Sequence, residues 1–121
     1  MEMIKLLDTN IILYYLGGQL SQPLPKGDYF ASVITEIELL AYPKLKKKAE
    51  MQIRNFLAEL TIVDLKPEIK KLTIELKRKF SIKLPDAIIA ATALTLNAEL
   101  LSNDHGFKRL PKLRWSELNL K

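Results

Sequence analysis

Three aspartates stand where a short apolar segment meets the start of a helical pattern. Asp8 follows the segment IKLL, Asp86 opens the segment DAIIAATAL, and Asp104 follows the segment ELLSN. An aspartate at a helix start is commonly an N-cap, and capping explains any one of these residues taken alone. Because the chain has only five aspartates, their repetition at three junctions points instead to a shared site.

The chemistry of such a site follows from its ligands. The carboxyl ends of the strands of an open parallel sheet lie along one edge, so the three carboxylates are expected to converge there. Since like charges repel, the cluster needs a cation, and oxygen ligands without His or Cys select Mg²⁺ or Mn²⁺ over Zn²⁺. Such ions in a carboxylate cluster support phosphoryl chemistry.

Other hydrolytic and nucleotide-binding sites are poorly supported by the sequence. One histidine is too few for a two-histidine acid–base nuclease, and without cysteine there is no thiol nucleophile. Neither G-x-x-x-x-G-K-[ST] nor G-x-G-x-x-G occurs, which disfavours a phosphate-binding loop.

The elements that must position the carboxylates alternate between short apolar segments and longer segments of helical period. This alternation is typical of an α/β fold with a mainly parallel sheet. The predicted strands cover residues 3–7, 29–31, 61–65, 99–102 and 112–115. The predicted helices cover residues 9–16, 33–40 after a Ser32 cap, 44–60 after Pro43, 67–80 and 85–96.

The composition indicates one globular domain over residues 1–121. The chain is 48% hydrophobic and 27% charged, and it has no cysteine, so it can form a core without disulfides and suits a reducing compartment. Its longest apolar run, residues 11–16, is far shorter than the roughly 20 residues that a membrane span requires. We therefore expect a cytoplasmic protein with no membrane partner.

The positive charge favours a polyanionic partner. The chain has 19 Lys and Arg against 14 Asp and Glu, a formal charge of +5, which attracts nucleic acid. A surface suited to solubility or heat tolerance has the same composition, and charge alone leaves both interpretations open. Three cationic clusters could follow an RNA backbone: Lys44, Lys46, Lys47 and Lys48; Lys77, Arg78, Lys79 and Lys83; and Lys108, Arg109, Lys112 and Arg114. The last cluster is the best candidate because it follows Asp104 closely.

Four segments in order carry a family resemblance. They are LLDTN at residues 6–10, SVITEIELL at 32–40, LPDAIIAATAL at 84–94 and LLSNDHGF at 100–107. Together they resemble PIN-domain ribonucleases and, more narrowly, the toxins of VapBC toxin–antitoxin pairs. The resemblance implies a three-layer α/β/α fold with a short, mainly parallel sheet. It also implies an endoribonuclease that depends on Mg²⁺ or Mn²⁺ and acts as the toxin of a type II toxin–antitoxin pair.

The resemblance also identifies the candidate catalytic and metal-binding residues. By motif these are Asp8, Glu38, Asp86 and Asp104, of which Glu38 lies three places after Thr35. Helical periodicity leaves Glu36 open in place of Glu38, and the motif register favours Glu38. Supporting residues, expected to orient carboxylates or bound water, are Thr9, Asn10 and Ser102. Turn and cap chemistry accounts for these three positions equally well.

Two positions depart from the family pattern. Residues 41–43 are Ala-Tyr-Pro where the family often has glycine, so the end of the preceding helix is expected to differ. Gly106 stands where many relatives carry a further acid, which argues against a second tightly held metal ion.

The helix predicted over residues 9–16 is apolar on every side and must be covered. Either residues 17–29 fold over it or it forms a partner surface. The resemblance favours the second interpretation, because it implies a homodimer that a cognate VapB-like antitoxin inhibits. Two further interpretations stay open: a PIN-type RNA-processing nuclease without an antitoxin, and a catalytically inactive PIN-like module that binds RNA or a partner.

Overall fold

A parallel five-stranded sheet lies at the centre of the protein. The structure is a computed structural model that describes residues 3–121. The strands are β1 (Ile4–Leu7), β2 (Asp28–Ser32), β3 (Thr61–Val63), β4 (Glu99–Leu101) and β5 (Trp115–Ser116), in the order β3-β2-β1-β4-β5. Each neighbouring pair is parallel. The first strand of the chain is therefore the central one, with β2 and β4 on either side.

Five α-helices connect the strands, and their ends follow from local chemistry. They are α1 (Thr9–Leu16), α2 (Val33–Leu40), α3 (Lys47–Leu57), α4 (Pro67–Lys79) and α5 (Leu84–Leu96). The side chains of Asp8 and Ser32 accept N–H hydrogen bonds at the starts of α1 and α2. Proline lies in the first turn of α4 and of α5, and Asn97 ends α5 in the left-handed conformation.

The sheet is covered on both faces. Because successive strand residues point to opposite faces, Leu6 and Leu100 pack with α4 and α5, whereas Leu7 and Leu101 pack with α1, α2 and α3. All four leucines are at most 1% exposed. This arrangement confirms the predicted α/β/α fold with a parallel sheet.

Helix α5 is the most deeply buried helix of the fold. Every residue from Ala87 to Ala93 is buried, which agrees with the absence of a polar side in its sequence. Four of these seven residues are alanines, and small side chains allow close packing against the sheet. Asp86, immediately before the buried stretch, is consequently held in a fixed position at the edge of the sheet.

Several predicted boundaries are wrong. The helix predicted from residue 44 begins only at Lys47, because Lys44 has a φ of 60°, which lies outside the helical region. The strand predicted over residues 61–65 ends at Val63, and the one predicted over 112–115 forms at Trp115–Ser116. Sequence periodicity also missed a short 3₁₀ helix over His105–Arg109.

Helix α1 is only partly covered by its own chain. Ile11 and Ile12 are fully buried, and Leu24, from the segment after α1, packs against the same cluster. Tyr15 remains 43% exposed, with its ring centroid 5.1 Å from that of Phe56 in α3. The following segment thus covers part of the helix and leaves one aromatic side chain at the surface.

In the part of the chain that the structure describes, no helix is both long enough and apolar enough to cross a membrane.

Packing around α5 should account for much of the stability. Ile89 is 1% exposed, so Ile89→Ala should lower the free energy of unfolding by about 2 to 5 kcal/mol through lost burial and a residual cavity. Ile74 in α4 is 52% exposed, and Ile74→Ala should cost less than about 1 kcal/mol. Urea unfolding followed by circular dichroism measures both values. Equal losses for the two variants would contradict the burial assigned to α5.

Candidate active site

Four carboxylates from four different elements line one cavity of about 350 Å³. Asp8 follows β1, Glu38 lies in α2, Asp86 in the first turn of α5, and Asp104 directly precedes the 3₁₀ helix. The remaining lining residues are Thr9, Asn10, Ala41, Tyr42 and Pro43. The structure therefore brings together the four acids that the sequence analysis singled out. We call this space the carboxylate cavity.

Asp8 is the most buried of these acids, at 6% exposed. Its Oδ1 accepts a hydrogen bond from the Thr9 backbone N–H at 2.8 Å, and its Oδ2 accepts one from the Ser102 hydroxyl at 2.7 Å. The same Ser102 Oγ accepts a hydrogen bond from the Asp104 N–H at 3.0 Å. Ser102 thus joins the ends of β1 and β4 and fixes the orientation of the Asp8 carboxylate.

Glu38 is oriented by a hydroxyl pair between α1 and α2. The Thr9 hydroxyl donates to Glu38 Oε1 at 2.7 Å, and the Thr9 and Thr35 Oγ1 atoms are 3.1 Å apart. Thr35 is fully buried. Sequence reasoning used Thr35 only to locate Glu38, and its polar side chain on the buried side of α2 was the available sign of a structural role.

Glu36, the other acid of α2, lies outside the carboxylate cavity. It lines a different cavity, with Arg54, Leu57 and Ile62 among its neighbours. Placement in the structure therefore favours Glu38 over Glu36 as the acid from α2. Of the three expected supporting residues, Thr9 and Ser102 contact site carboxylates, whereas Asn10 lines the carboxylate cavity with an exposed side chain.

Capping and cavity lining are combined in the same residues. Asp8 caps α1, and Asp104 Oδ1 accepts the Gly106 N–H at 2.8 Å as the cap of the 3₁₀ helix. Each has a second carboxylate oxygen beyond its cap bond. The two interpretations of these aspartates, as helix caps and as site residues, are thus compatible.

Burial and neighbouring negative charges raise the pKa values of Asp86 and Asp8. The pKa of Asp86 is raised from 3.8 to about 6. Burial is the largest cause, the negative charges of Asp104, Asp8 and Glu38 add to it, and the positive charge of Lys83 opposes it. Burial also raises the pKa of Asp8, against the opposing hydrogen bonds from Ser102 and the Thr9 N–H. Without a counter-ion, the ionised cluster is therefore electrostatically unfavourable.

The donor chemistry of the cavity fits a hard divalent cation. All four acids offer oxygen ligands, which suit Mg²⁺ or Mn²⁺. Among residues 3–121, no three such side chains are drawn together as a ready-made metal cage. Mg²⁺ commonly keeps several waters and is held by one or two carboxylates together with substrate phosphates, so the arrangement is suitable without a closed cage.

Solved structures similar to this chain include chains of toxin–antitoxin complexes. A chain of VapBC2 from Rickettsia felis bound to a promoter DNA fragment gives a TM-score of 0.78 at 27% identity, covering 97% of this chain and 100% of that chain. A chain of a toxin–antitoxin complex from Klebsiella pneumoniae gives a TM-score of 0.76 at 29% identity. The match covers 90% of this chain and 94% of that chain. A chain of VapBC-1 from nontypeable Haemophilus influenzae gives a TM-score of 0.74 at 27% identity. The match covers 95% of this chain and 98% of that chain.

At the level of sequence, no curated protein matches the chain significantly. A family model described as the PIN domain matches residues 5–113. The matched region holds all four acids of the carboxylate cavity and covers most of the chain. This protein therefore belongs to the PIN domain family, and it is similar in structure to chains of VapBC toxin–antitoxin complexes.

Proposed function

We propose that this protein is an endoribonuclease that depends on Mg²⁺ or Mn²⁺ and acts as the toxin of a type II toxin–antitoxin pair. The observation that carries the proposal is the convergence of Asp8, Glu38, Asp86 and Asp104 on one cavity. Membership of the PIN domain family and similarity to VapBC complexes support it.

Three of the four acids share one role in the proposed reaction, and Glu38 has another. Asp8, Asp86 and Asp104 would hold the divalent ion, which when bound would polarise the phosphate and lower the pKa of nearby water. Glu38, held by the Thr9 hydroxyl, completes the metal-binding cluster, positions the attacking water and accepts its proton. The water oxygen attacks phosphorus in line, the bond from phosphorus to the 3′ oxygen breaks, and solvent protonates the leaving oxygen.

The proposed partners follow from charge and from the structural relatives. A formal charge of +5 favours RNA as the substrate. Similarity to chains of VapBC complexes supports a VapB-like antitoxin that inhibits the enzyme in the cytoplasm. The exposed Tyr15 beside Phe56 supports a homodimer, because aromatic side chains are frequent in the cores of interfaces.

Removing one carboxylate tests the assignment of the active site. Asp8→Asn, Glu38→Gln and Asp86→Asn should each lower the rate of RNA cleavage in Mn²⁺ by roughly a hundredfold or more. Each variant removes either a proposed ligand of the metal ion that stabilises the transition state or the proposed base. Glu36→Gln, the matched control in the same helix, should cleave at the wild-type rate. Gel analysis of labelled cellular RNA measures the rates, and EDTA should abolish cleavage by the native protein.

Two results would contradict this assignment. Full cleavage by Asp8→Asn would place the activity in another site or another protein. RNA binding by the native protein, with no cleavage in Mn²⁺ and no Mn²⁺ site by calorimetry, would favour the inactive binding module.

The electrostatics predict an unusual gain in stability. The pKa of Asp86 is about 6 in the folded protein and 3.8 when unperturbed, so the folded state binds more protons between pH 4 and 6 and loses stability as the pH rises. Asp86→Asn in EDTA at pH 7 should therefore melt above the native protein. After discounting for partial exposure, we expect about 1 kcal/mol, or about 3 to 5 °C.

Metal addition should reverse this order. Mn²⁺ at 100 times its Kd should stabilise the native protein by about 2.7 kcal/mol, and Asp86→Asn should gain less because it lacks one ligand. Differential scanning fluorimetry measures both changes. Cleavage by the native protein should rise between pH 5 and 7 as Asp86 ionises. A melting temperature independent of Mn²⁺, with cleavage intact, would place the activity elsewhere.

A charged substitution tests the proposed homodimer. Tyr15→Glu introduces one charge in each copy at a two-fold interface, so it should give folded monomers by size-exclusion chromatography and circular dichroism. Ile74→Glu is the matched control, because Ile74 is 52% exposed on the opposite layer of the fold. It should leave the dimer intact. Dimers of Tyr15→Glu would show that Tyr15 lies outside the contact.

A further inference from the structure

A second cavity adjoins the carboxylate cavity and, unlike it, is lined in part by positively charged side chains. It has a volume of about 270 Å³, and its lining includes Lys83, Arg109 and Gly106 together with Asp86 and Asp104. The two aspartates also line the carboxylate cavity, so the two spaces meet at a shared acidic wall. We call this second space the cation pocket.

Within residues 3–121, the two cations of the pocket make no ion pair. Among residues 3–121, the ion pairs join Lys5 to Glu99, Arg54 to Glu50, and His105 to Glu117. Lys83 precedes α5 and makes no capping hydrogen bond, although its charge reaches Asp86 and lowers the pKa of that group. Arg109 makes one long hydrogen bond, from Nε to the Gly106 carbonyl at 3.4 Å. Both positive charges are thus available to an anion.

Gly106 keeps the space between Asp104 and Arg109 open. A Cβ atom at this position would lie 3.0 Å from Asp104 Oδ1 and 3.9 Å from Arg109 Nη2. Any other side chain would start between the carboxylate and the guanidinium. The glycine that replaces the further acid of many relatives therefore leaves one less negative charge and more room beside a cation.

We propose that the cation pocket binds the phosphate next to the scissile phosphate of the RNA, with Lys83 and Arg109 as positioning residues. The inference rests on the proposed ribonuclease function and names a subsite of it. Two phosphates joined by one nucleoside need two adjacent anion sites, and the shared wall provides this adjacency. Arginine offers a planar pair of donors to phosphate oxygens, and lysine adds a compact charge.

This subsite would determine which phosphate is cut. A phosphate held by Lys83 and Arg109 fixes the register of the strand, so the neighbouring phosphate lies at the four acids. An acidic protein segment is a weaker candidate, because it has no second phosphate that would lie in the adjoining carboxylate cavity.

The binding test separates the pocket from the general basic surface. Lys83→Ala/Arg109→Ala and the control Lys70→Ala/Lys71→Ala each remove two positive charges, the latter from exposed positions of α4. Both are made in an Asp86→Asn background with EDTA, so that no cleavage occurs. Fluorescence anisotropy with a labelled 12-nucleotide oligouridine measures Kd over a range of salt concentrations, and circular dichroism verifies folding.

We expect the pocket variant to bind oligouridine roughly tenfold more weakly, with a salt slope smaller by about 0.7, the value for one phosphate contact on a single strand. The control should change Kd less than threefold.

Oligonucleotides that each carry one neutral methylphosphonate, placed at successive positions, locate the phosphate that the pocket binds. At one position the methylphosphonate should weaken binding to the Asp86→Asn parent but not to the pocket variant. Cleavage is measured in Mn²⁺ with Asp86 restored. Under these conditions Lys83→Ala/Arg109→Ala should either raise KM by a larger factor than it lowers kcat, or change the position at which the RNA is cut.

Equal weakening in the two double variants, or no position-specific effect of methylphosphonate, would overturn the subsite. Unchanged oligouridine binding with lost binding of a poly-glutamate peptide would overturn it in favour of an acidic protein segment. The binding measurements need no cleavage. A native protein that binds through this pocket but cuts no RNA would therefore contradict the proposed nuclease and leave the pocket standing.

Discussion

Burial of the Asp8 carboxylate at the end of the central strand is the constraint on which the site depends. A buried charge must be compensated by hydrogen bonds or by an opposite charge. The protein supplies two hydrogen bonds, from the Thr9 N–H and the Ser102 hydroxyl, yet it surrounds Asp8 with other acids. Local polar contacts therefore fix where the carboxylate points, while its charge remains uncompensated by the protein itself.

The hydroxyl groups of Thr9 and Ser102 make this unfavourable cluster geometrically rigid. Thr9 joins α1 to Glu38 of α2, and Ser102 joins the end of β1 to the start of the segment that carries Asp104. Neither hydroxyl adds charge. The fold thereby separates two properties of the cluster, since neutral groups set its shape and the acids set its negative charge.

The sequence contains much of this design because its main signals are local. Asp8, Asp86 and Asp104 stand next to apolar segments whose periods identify strands and helices, and parallel pairing alone is enough to place them at one edge. Family motifs were needed for Glu38, because Glu36 and Glu38 are nearly equivalent in periodicity, and only the packing of α2 separates them.

Two local features could not be predicted from periodicity. The left-handed backbone at Lys44 and the 3₁₀ helix that the Asp104 cap begins leave no periodic pattern in the sequence. The cation pocket could not be predicted either, because Lys83 and Arg109 belong to different clusters along the chain and meet only through the fold.

The hydrogen bond between Ser102 and Asp8 joins residues that are 94 positions apart. Ribosomes add residues from the amino end, so β1 and α2 are made before β4 and the residues that follow it. A chain translated through α2 but not yet through β4 has Asp8 without Ser102, and Glu38 without Asp104. The proposed activity therefore cannot begin before Asp104 has been added and β4 has paired with β1. Formation of the site depends on contacts between residues far apart in the sequence, which are the slow contacts of folding.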